Sequence, residues 1–455
     1  MARLTTRSAL RLSATLLWVL AAWNCWVARG LFADGSATLL AMMRFEDFAL
    51  FFESRRHAMA AMQTPAAVAL WLGVTDTQLL ARLFSLGAFI VPTALYHACL
   101  VRARHDTFLL AVVIGMVAAV YVPTAFFIVG EYNGLCSAVL LAGLVLATGV
   151  RASVGDGLLL VAIAAFIMRS YETTLAYGLL LAGLTAWRAV LARARGGVLW
   201  VYGLAALLFA VSAAVAARSL LYPDNPAQLG AAFASVGDFV SNVQFVLPFA
   251  ALLIVAMAAL AVPQLLLSRP LYICAALPLV VLVAVPLVSL LPGMPGPLAH
   301  AHYPSRMGAG ALTGAAVVVI WLYSQRAAWP SRTMTAVATP AVARRLLAFQ
   351  VGALIAALPA DLLLTERWRQ SVTVFQSTIS RQGGLIAFED TPLVRAPYLD
   401  MVEGWALPSQ SLVLRRAASD GVVLPPRGST GFQPFAPGDL PRVDRFLWGG
   451  QGRIQ

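Results

Sequence analysis

TFLLAVVIGMVAAVYVPTAFFIV, residues 107–129, decides the fold. These 23 residues carry no charge. As a helix rising 1.5 Å per residue they reach about 35 Å, enough to cross roughly 30 Å of hydrocarbon. A lone segment in lipid satisfies its backbone groups only as a helix. The two ends of the run differ. Arg102, Arg104, His105 and Asp106 precede it, and Gly130-Glu131 follows it. Arginine collects in short cytoplasmic loops, so the basic end marks the cytoplasm and Glu131 faces outward.

Comparable runs recur on both sides of this one. Spans are expected near 12–32, 77–100, 107–129, 134–150, 155–170, 173–190, 198–221, 243–266, 270–291, 308–325 and 345–364. The fold class is therefore an all-α polytopic membrane protein of about 11 transmembrane helices with a cytoplasmic N-terminus, ending in a small extracytoplasmic α+β or irregular domain. The first run could pass for a signal peptide, but its apolar stretch is too long and Ala28-Arg29-Gly30 is a poor cleavage site. Three regions follow: a module 1–222 with a long outward loop at 33–76, further spans over 223–364, and the tail 365–455. No internal repeat is visible, which argues against a transporter of duplicated halves.

A chain of 455 residues with 60% hydrophobic and 11% charged content is too apolar for a soluble protein of this size. Its net charge of +12 would point to nucleic acid in a soluble chain. Here topology explains the bases: fourteen arginines, from Arg3 to Arg345, fall in cytoplasmic segments. Eighteen of the twenty acids fall outside, Asp106 and Asp156 being the two exceptions, and eight of the eighteen lie beyond Asp361. Cys25, Cys99, Cys136 and Cys274 sit within spans, as small buried hydrophobes do.

The densest outward acids are in Arg44-Phe45-Glu46-Asp47. Phe45, Phe48 and Phe52 follow three-four spacing, which predicts an amphipathic helix in the outer interface. Met59–Leu72, with Pro65, predicts a second interfacial helix or a re-entrant stretch. In the tail, Glu366 to about Ser380 reads as a helix, Leu385–Phe388 and Leu412–Leu414 as short strands, and the rest as Pro-rich loop packed on the outer mouth.

Carboxylates at membrane depth are costly, so those at one end of a bundle are candidates for chemistry. Glu46 and Asp47 could act as general base on an acceptor hydroxyl, or hold Mg²⁺ or Mn²⁺. The plainer reading is a solvated interfacial helix. Glu131 caps a short outward turn, as a first-turn acid beside a helix dipole also would. Glu172 sits in the next outward turn, where Arg169 could simply pair with it. His302, Tyr303 and Arg306 precede the tenth span. Their spacing matches no closed zinc site, and they read either as donors to a phosphate or as headgroup anchors. Arg44 and Arg169 complete the candidate substrate-binding set. No phosphate loop, dinucleotide-binding glycine pattern or Ser-His-Asp arrangement is present.

This layout resembles the GT-C superfamily of integral membrane, polyprenyl-phosphate-sugar-dependent glycosyltransferases, most strongly over residues 1–190. The residues that carry the likeness are Glu46-Asp47, soon after the first span, and Glu131, between the third and fourth. The motif departs from the commoner Asp-Asp, Asp-Glu or Asp-X-Asp by being Glu-Asp within Phe-Glu-Asp-Phe. The resemblance implies a multi-pass enzyme of the cytoplasmic (inner) membrane whose site faces the periplasm or exterior. It implies an inverting sugar transfer from a polyprenyl-phosphate-sugar donor to a glycan, lipid or protein acceptor, with Glu46 or Asp47 as base. Arg306, with His302 or Arg169, would neutralise the leaving phosphate. Membrane lipids are the other implied partner. The competing readings are a polysaccharide polymerase or ligase on the same donors, and a lipid or solute transporter or flippase.

Overall fold

A computed structural model describes residues 5–125, 130–149, 152–191, 195–223, 230, 243–288, 302–395, 397–428 and 443–450. Side chains of residues 285–288, 302–305 and 400 also lie outside this description. The helices are α1 (Thr6–Trp26), α2 (Asp34–Phe45), α3 (Arg56–Trp71), α4 (Thr77–Ala103), α5 (Thr107–Thr124), α6 (Glu131–Thr148), α7 (Val154–Ile167), α8 (Thr174–Leu191) and α9 (Gly196–Leu221). They continue with α10 (Val243–Ala261), α11 (Arg269–Val288), α12 (His302–Ser324), α13 (Arg332–Ala338), α14 (Pro340–Arg381) and α15 (Leu407–Leu414).

Among the described residues, eight helices are long and apolar enough to cross a membrane: α4, α5, α6, α8, α9, α10, α12 from Arg306, and α14. The other three expected spans fall on helices that exist but differ in character. α1 carries Arg7 and Arg11 in its first two turns, α7 has only 14 residues, and the apolar part of α11 is short. The connections after the expected spans 198–221 and 270–291 fall largely outside the described residues.

Burial separates an inner set of helices from an outer one. Every residue of α6 from Tyr132 to Leu146 is buried, and α5 is almost as enclosed. α6 packs against α4 and α12, and α5 against α14. By contrast α9 and α10 expose Leu204, Leu207, Leu221, Leu253, Met257 and Leu260. Apolar surface this extensive is a liability in water and is the ordinary exterior of a helix facing lipid. Within α5, Val117–Tyr121 widens to a π turn just before Pro123. Proline lacks the N–H that would bond the carbonyl four residues back and clashes with it, and a widened turn relieves both problems.

The first loop departs from its expected form. Its helix is α2, which ends at Glu46 in left-handed conformation (φ 54°, ψ 29°), and Phe48–Phe52 are not helical. Nor does α2 lie on the surface, since Gly35–Met43 are all buried. The three-four aromatic spacing is thus a coincidence of a chain leaving a helix. The second stretch is helical, as α3, with Pro65 inside it, packed on α4.

The tail also differs. The expected last span and the amphipathic helix after it are one helix, α14, of 42 residues. At 1.5 Å per residue it is about 63 Å long, twice the hydrocarbon thickness. Leu412–Leu414, expected as a strand, lies in α15, whose Pro408 suits a helix start. The strand that pairs with Leu385–Ile386 is Val422–Val423, in parallel. α15 packs on α2. Residues beyond it reach back to the start of α4: Thr77 N donates to Leu447 O at 3.1 Å, and Gly449 N to Asp76 Oδ1 at 3.0 Å.

One buried ion pair ties the end of α1 to α14. Arg29, in a single 3-10 turn after α1, places Nη2 2.9 Å from Asp361 Oδ1 of α14, with both side chains almost fully enclosed. Its Nη1 donates to Asn24 Oδ1 at 2.9 Å and Thr365 Oγ1 at 2.7 Å, and Phe89 lies below the guanidinium. Nearby, Trp368 Nε1 donates to Val27 O at 3.2 Å, and its ring meets Phe32 edge-on. Removing one partner of such a pair strands the other charge and costs about 3–5 kcal/mol, whereas replacing both with apolar groups is often tolerated. Asp361→Ala should therefore lower the folded yield and melting temperature in detergent. Arg29→Met with Asp361→Leu should recover more than half of that loss; a double variant no better than Asp361→Ala would show that the pair is not what holds these helices.

Candidate functional site

The chain between α1 and Glu46 contains every non-glycine residue with positive φ among those described: Ala28 (φ 51°), Ala33 (φ 50°) and Glu46 (φ 54°). Each costs on the order of 1–2 kcal/mol in an L-residue, and such strain collects at functional sites. Ala33, with ψ −115°, is outside even the left-handed helical region. The strained turn is held by Gly30 and Gly35, because a Cβ on Gly35 would overlap the carbonyl of Gly30. It delivers Asp34 as the first residue of α2, exposed and with no side-chain hydrogen bond to another described residue. The dipole at a helix N-terminus favours its ionised form.

Asp34 lies within electrostatic reach of Arg306, near the start of α12, as do Glu131 and Arg55. Arg306 Nη1 donates to the Tyr171 hydroxyl at 2.8 Å. Its backbone carbonyl accepts from Tyr132 Oη, and the Tyr132 and Tyr171 rings meet edge-on, 4.9 Å apart. Arg55, in the 3-10 turn before α3, lies against the same Tyr171 ring, its Cζ 4.3 Å from the centroid, against 5.7 Å for Arg306. Two guanidiniums thus share one aromatic ring. Cation–π attraction offsets part of their mutual repulsion, and the carboxylates offset more.

Those carboxylates are Glu131 and Glu172. Arg55 Nη1 is 3.3 Å from Glu131 Oε1, and Arg55 Nε is 3.3 Å from Glu172 Oε1. Ser54 Oγ also donates to Glu172 Oε1, at 2.9 Å. Glu131 is the first residue of α6, following Gly130 at φ 108°, where a Cβ would strike the Met62 methyl. Burial of Arg55 works against its charge, but Tyr171, Glu131 and Glu172 outweigh that, so its pKa is raised and it stays protonated. Burial likewise pushes the Tyr171 phenol up, with Arg306 and Arg55 pulling against it, and the ring remains a neutral donor and acceptor.

The expected site residues divide into two groups. Glu131, Glu172 and Arg306 come together around Tyr171. Glu46 and Asp47 stand apart and exposed: Glu46 Oε1 pairs with Arg445 Nη2 of the tail at 2.5 Å, and Asp47 Oδ1 accepts from Phe48 N at 2.8 Å. Arg44 stacks on Phe45. Arg169 pairs with Glu53 at 2.9 Å and not with Glu172, fixing the first loop to the turn before α8. His302 and Tyr303 begin α12, with side chains outside the described residues. Among the described residues, no three of His, Cys, Asp or Glu gather where they could hold a metal ion.

Asp34, Arg55 and Tyr171 were not legible as site residues. Asp34 reads as a turn residue in Ala-Asp-Gly-Ser, and Arg55 as one half of an exposed Arg-Arg pair. The one local signal was Gly30 and Gly35 bracketing Asp34 directly after the first apolar run.

The two acidic groups should respond differently to neutralisation. An exposed pair such as Glu46–Arg445 contributes about 0.2–1 kcal/mol, so a double-mutant cycle with Glu46→Gln and Arg445→Gln should return a coupling in that range. Arg55→Gln, which strands Glu131 and Glu172, should lower the melting temperature more than either single change; the reverse order would place the structural charge cluster at Glu46. Compared with known protein families, with curated proteins and with solved structures, the chain finds no match.

Proposed function

We propose that this chain transfers a sugar from a polyprenyl-phosphate carrier to an acceptor hydroxyl at the outer face of the cytoplasmic membrane. In this reading all eleven apolar helices cross the bilayer, the N-terminus is inside, and the Tyr171 cluster opens outward. The observation that carries it is the pair of guanidiniums, Arg55 and Arg306, on one tyrosine ring, with the Asp34 carboxylate within electrostatic reach of Arg306. A phosphate leaving group needs fixed positive charge where its own charge develops, and a planar guanidinium presents parallel donors to phosphate oxygens. An acceptor hydroxyl needs a carboxylate able to take its proton.

The division of labour follows from what each acid already does. Glu131 and Glu172 hold Arg55, and Glu46 holds Arg445. Asp34, within electrostatic reach of Arg306, has no such ion pair among the described residues. The acceptor oxygen attacks the anomeric carbon and passes its proton to the Asp34 carboxylate. The bond from the anomeric carbon to the phosphate oxygen breaks, and its electron pair leaves with the phosphate, which Arg306 and Arg55 stabilise. Attack opposite the leaving group inverts the anomeric centre. The base thus stays in the first outward loop but is assigned to Asp34 in place of Glu46 or Asp47. A divalent cation, were one bound, would be held by a carboxylate such as Asp34 and would supply further positive charge for the leaving phosphate.

A transporter would use buried charge along a path through the bundle. The fully enclosed pair Arg29–Asp361 is instead packed between Asn24, Thr365 and Phe89, as a structural lock is.

Loss of a general base costs on the order of 10²–10⁴ in rate, and loss of a charge-stabilising donor about 10²–10³. Envelope glycans from cells carrying Asp34→Asn or Arg306→Gln should lose a defined sugar by mass spectrometry, at normal expression. Glu46→Gln and Asp47→Asn should leave it. Unchanged glycans in Asp34→Asn, Arg306→Gln and Glu131→Gln alike would end the proposal, and loss in Asp47→Asn alone would return the base to the acidic motif.

A further inference from the structure

A cavity lies away from the Tyr171 cluster. α6 and α12, counted from Arg306, run from that cluster over 18 and 19 residues, or about 27 Å. At their far ends, where the arginine-rich connections gather, lies a cavity of about 680 Å³. Its polar wall is formed by Arg102, Arg104, His105, Asp106 and Arg326. Its apolar wall includes Val101, Leu109, Leu141 and Leu159, of which Val101 and Leu159 are exposed on the outer surface of the bundle.

The charges in this wall are unequally committed. Asp106 is fully engaged: it caps α5, accepting from Phe108 N at 2.9 Å and Leu109 N at 3.1 Å, and it accepts from Tyr323 Oη at 3.0 Å. Arg102 is also occupied, by Thr148 Oγ1 at 2.6 Å and Asp156 at 3.0 Å. Arg104 spends only its Nε, on His105 Nε2 at 2.8 Å. Arg326 spends one nitrogen on Tyr323 O at 2.8 Å and stacks its Cζ 4.0 Å from the Tyr323 ring centre. Two guanidiniums therefore keep terminal donors with no protein partner among the described residues, across a cavity whose one acid is consumed.

We infer that this cavity binds an anionic phospholipid, its headgroup phosphate held by Arg104 and Arg326 and the first carbons of its acyl chains against Leu109, Leu141 and Leu159. Paired arginine donors match phosphate oxygens. The volume is that of a small-ligand site, and its apolar wall continues onto the lipid-facing surface through Val101 and Leu159. A soluble phosphate ester would satisfy the arginines but leave that wall unfilled, and basic pockets between membrane helices on the cytoplasmic side suit anionic headgroups. The site is separate from the proposed transfer chemistry and does not depend on it.

The test titrates the full-length protein in detergent with phosphatidylglycerol, phosphatidylcholine and glycerol 3-phosphate, reading bound adducts by native mass spectrometry. Phosphatidylglycerol should bind at least tenfold more tightly than either alternative. Arg104→Gln with Arg326→Gln should weaken it at least fivefold. Leu159→Trp, which fills the apolar wall at an exposed position and leaves the charges intact, should do the same if the double variant does not fold. Arg332→Gln, on the same side but off the cavity, should have no effect. Wild-type binding in both cavity variants, or an equal loss in Arg332→Gln, would overturn the site. Glycerol 3-phosphate binding as tightly as the lipid would overturn its assignment to a lipid.

Discussion

The enclosed ion pair between Arg29 and Asp361 is the constraint on which the first loop and the tail depend. It joins residues 332 positions apart, where 361 − 29 = 332, at the point where both chains leave the apolar bundle. From Arg29 the backbone runs through the strained turn at Ala33 to Asp34 and α2. From Asp361 it runs along α14 to the tail, which returns to cover α2 with α15. A charge pair out of water needs support from the groups around it, and Asn24 and Thr365 both accept from Arg29 Nη1. The lock therefore fixes the register of two distant segments that together shape the first loop.

With that loop in place, Arg55 comes to lie between the turns that open α6 and α8. Glu131 and Glu172 hold it from two directions, and Arg169–Glu53 adds a further tie. The arrangement concentrates positive charge without leaving it uncompensated. Arg55 and Arg306 share the Tyr171 ring, while the acids stand at the edge. A low-dielectric rim around such a pair strengthens its pull on an incoming phosphate. The opposite end of the same helices has a second pair of arginines, Arg104 and Arg326, over an apolar wall. The molecule thus has arginine pairs at both ends of α6 and α12, with Glu131 and Glu172 at one end and Asp106 and Asp156 at the other.

Much of the membrane architecture was legible because hydrocarbon leaves few choices: an uncharged run such as 107–129 has one stable form in lipid. The sequence could not show how segments outside the bundle would fold, since there tertiary contacts decide. Phe45, Phe48 and Phe52 had helical spacing, yet the helix ends at Glu46, where the left-handed cap turns the chain toward Ala49, held by Gln63. Leu412–Leu414 had strand-like composition, but burial on all sides against α2 made them helical. At the site, Glu131, Glu172 and Arg306 could be picked out because charges next to apolar runs are conspicuous. Asp34 and Arg55 could not, because their meaning comes from a strained turn and from partners more than 70 residues away, 131 − 55 = 76 for Arg55 and Glu131.

The most direct measurement is the position of a bound carrier phosphate. Electron cryo-microscopy of the protein in nanodiscs with polyprenyl phosphate would locate it. The phosphate is expected within hydrogen-bonding distance, about 3 Å, of Arg306, with Arg55 beside it, Asp34 facing the open side and the prenyl chain running between helices toward lipid. A phosphate bound at the Glu46–Arg445 edge, or found only between Arg104 and Arg326 at the other end of the bundle, would contradict it.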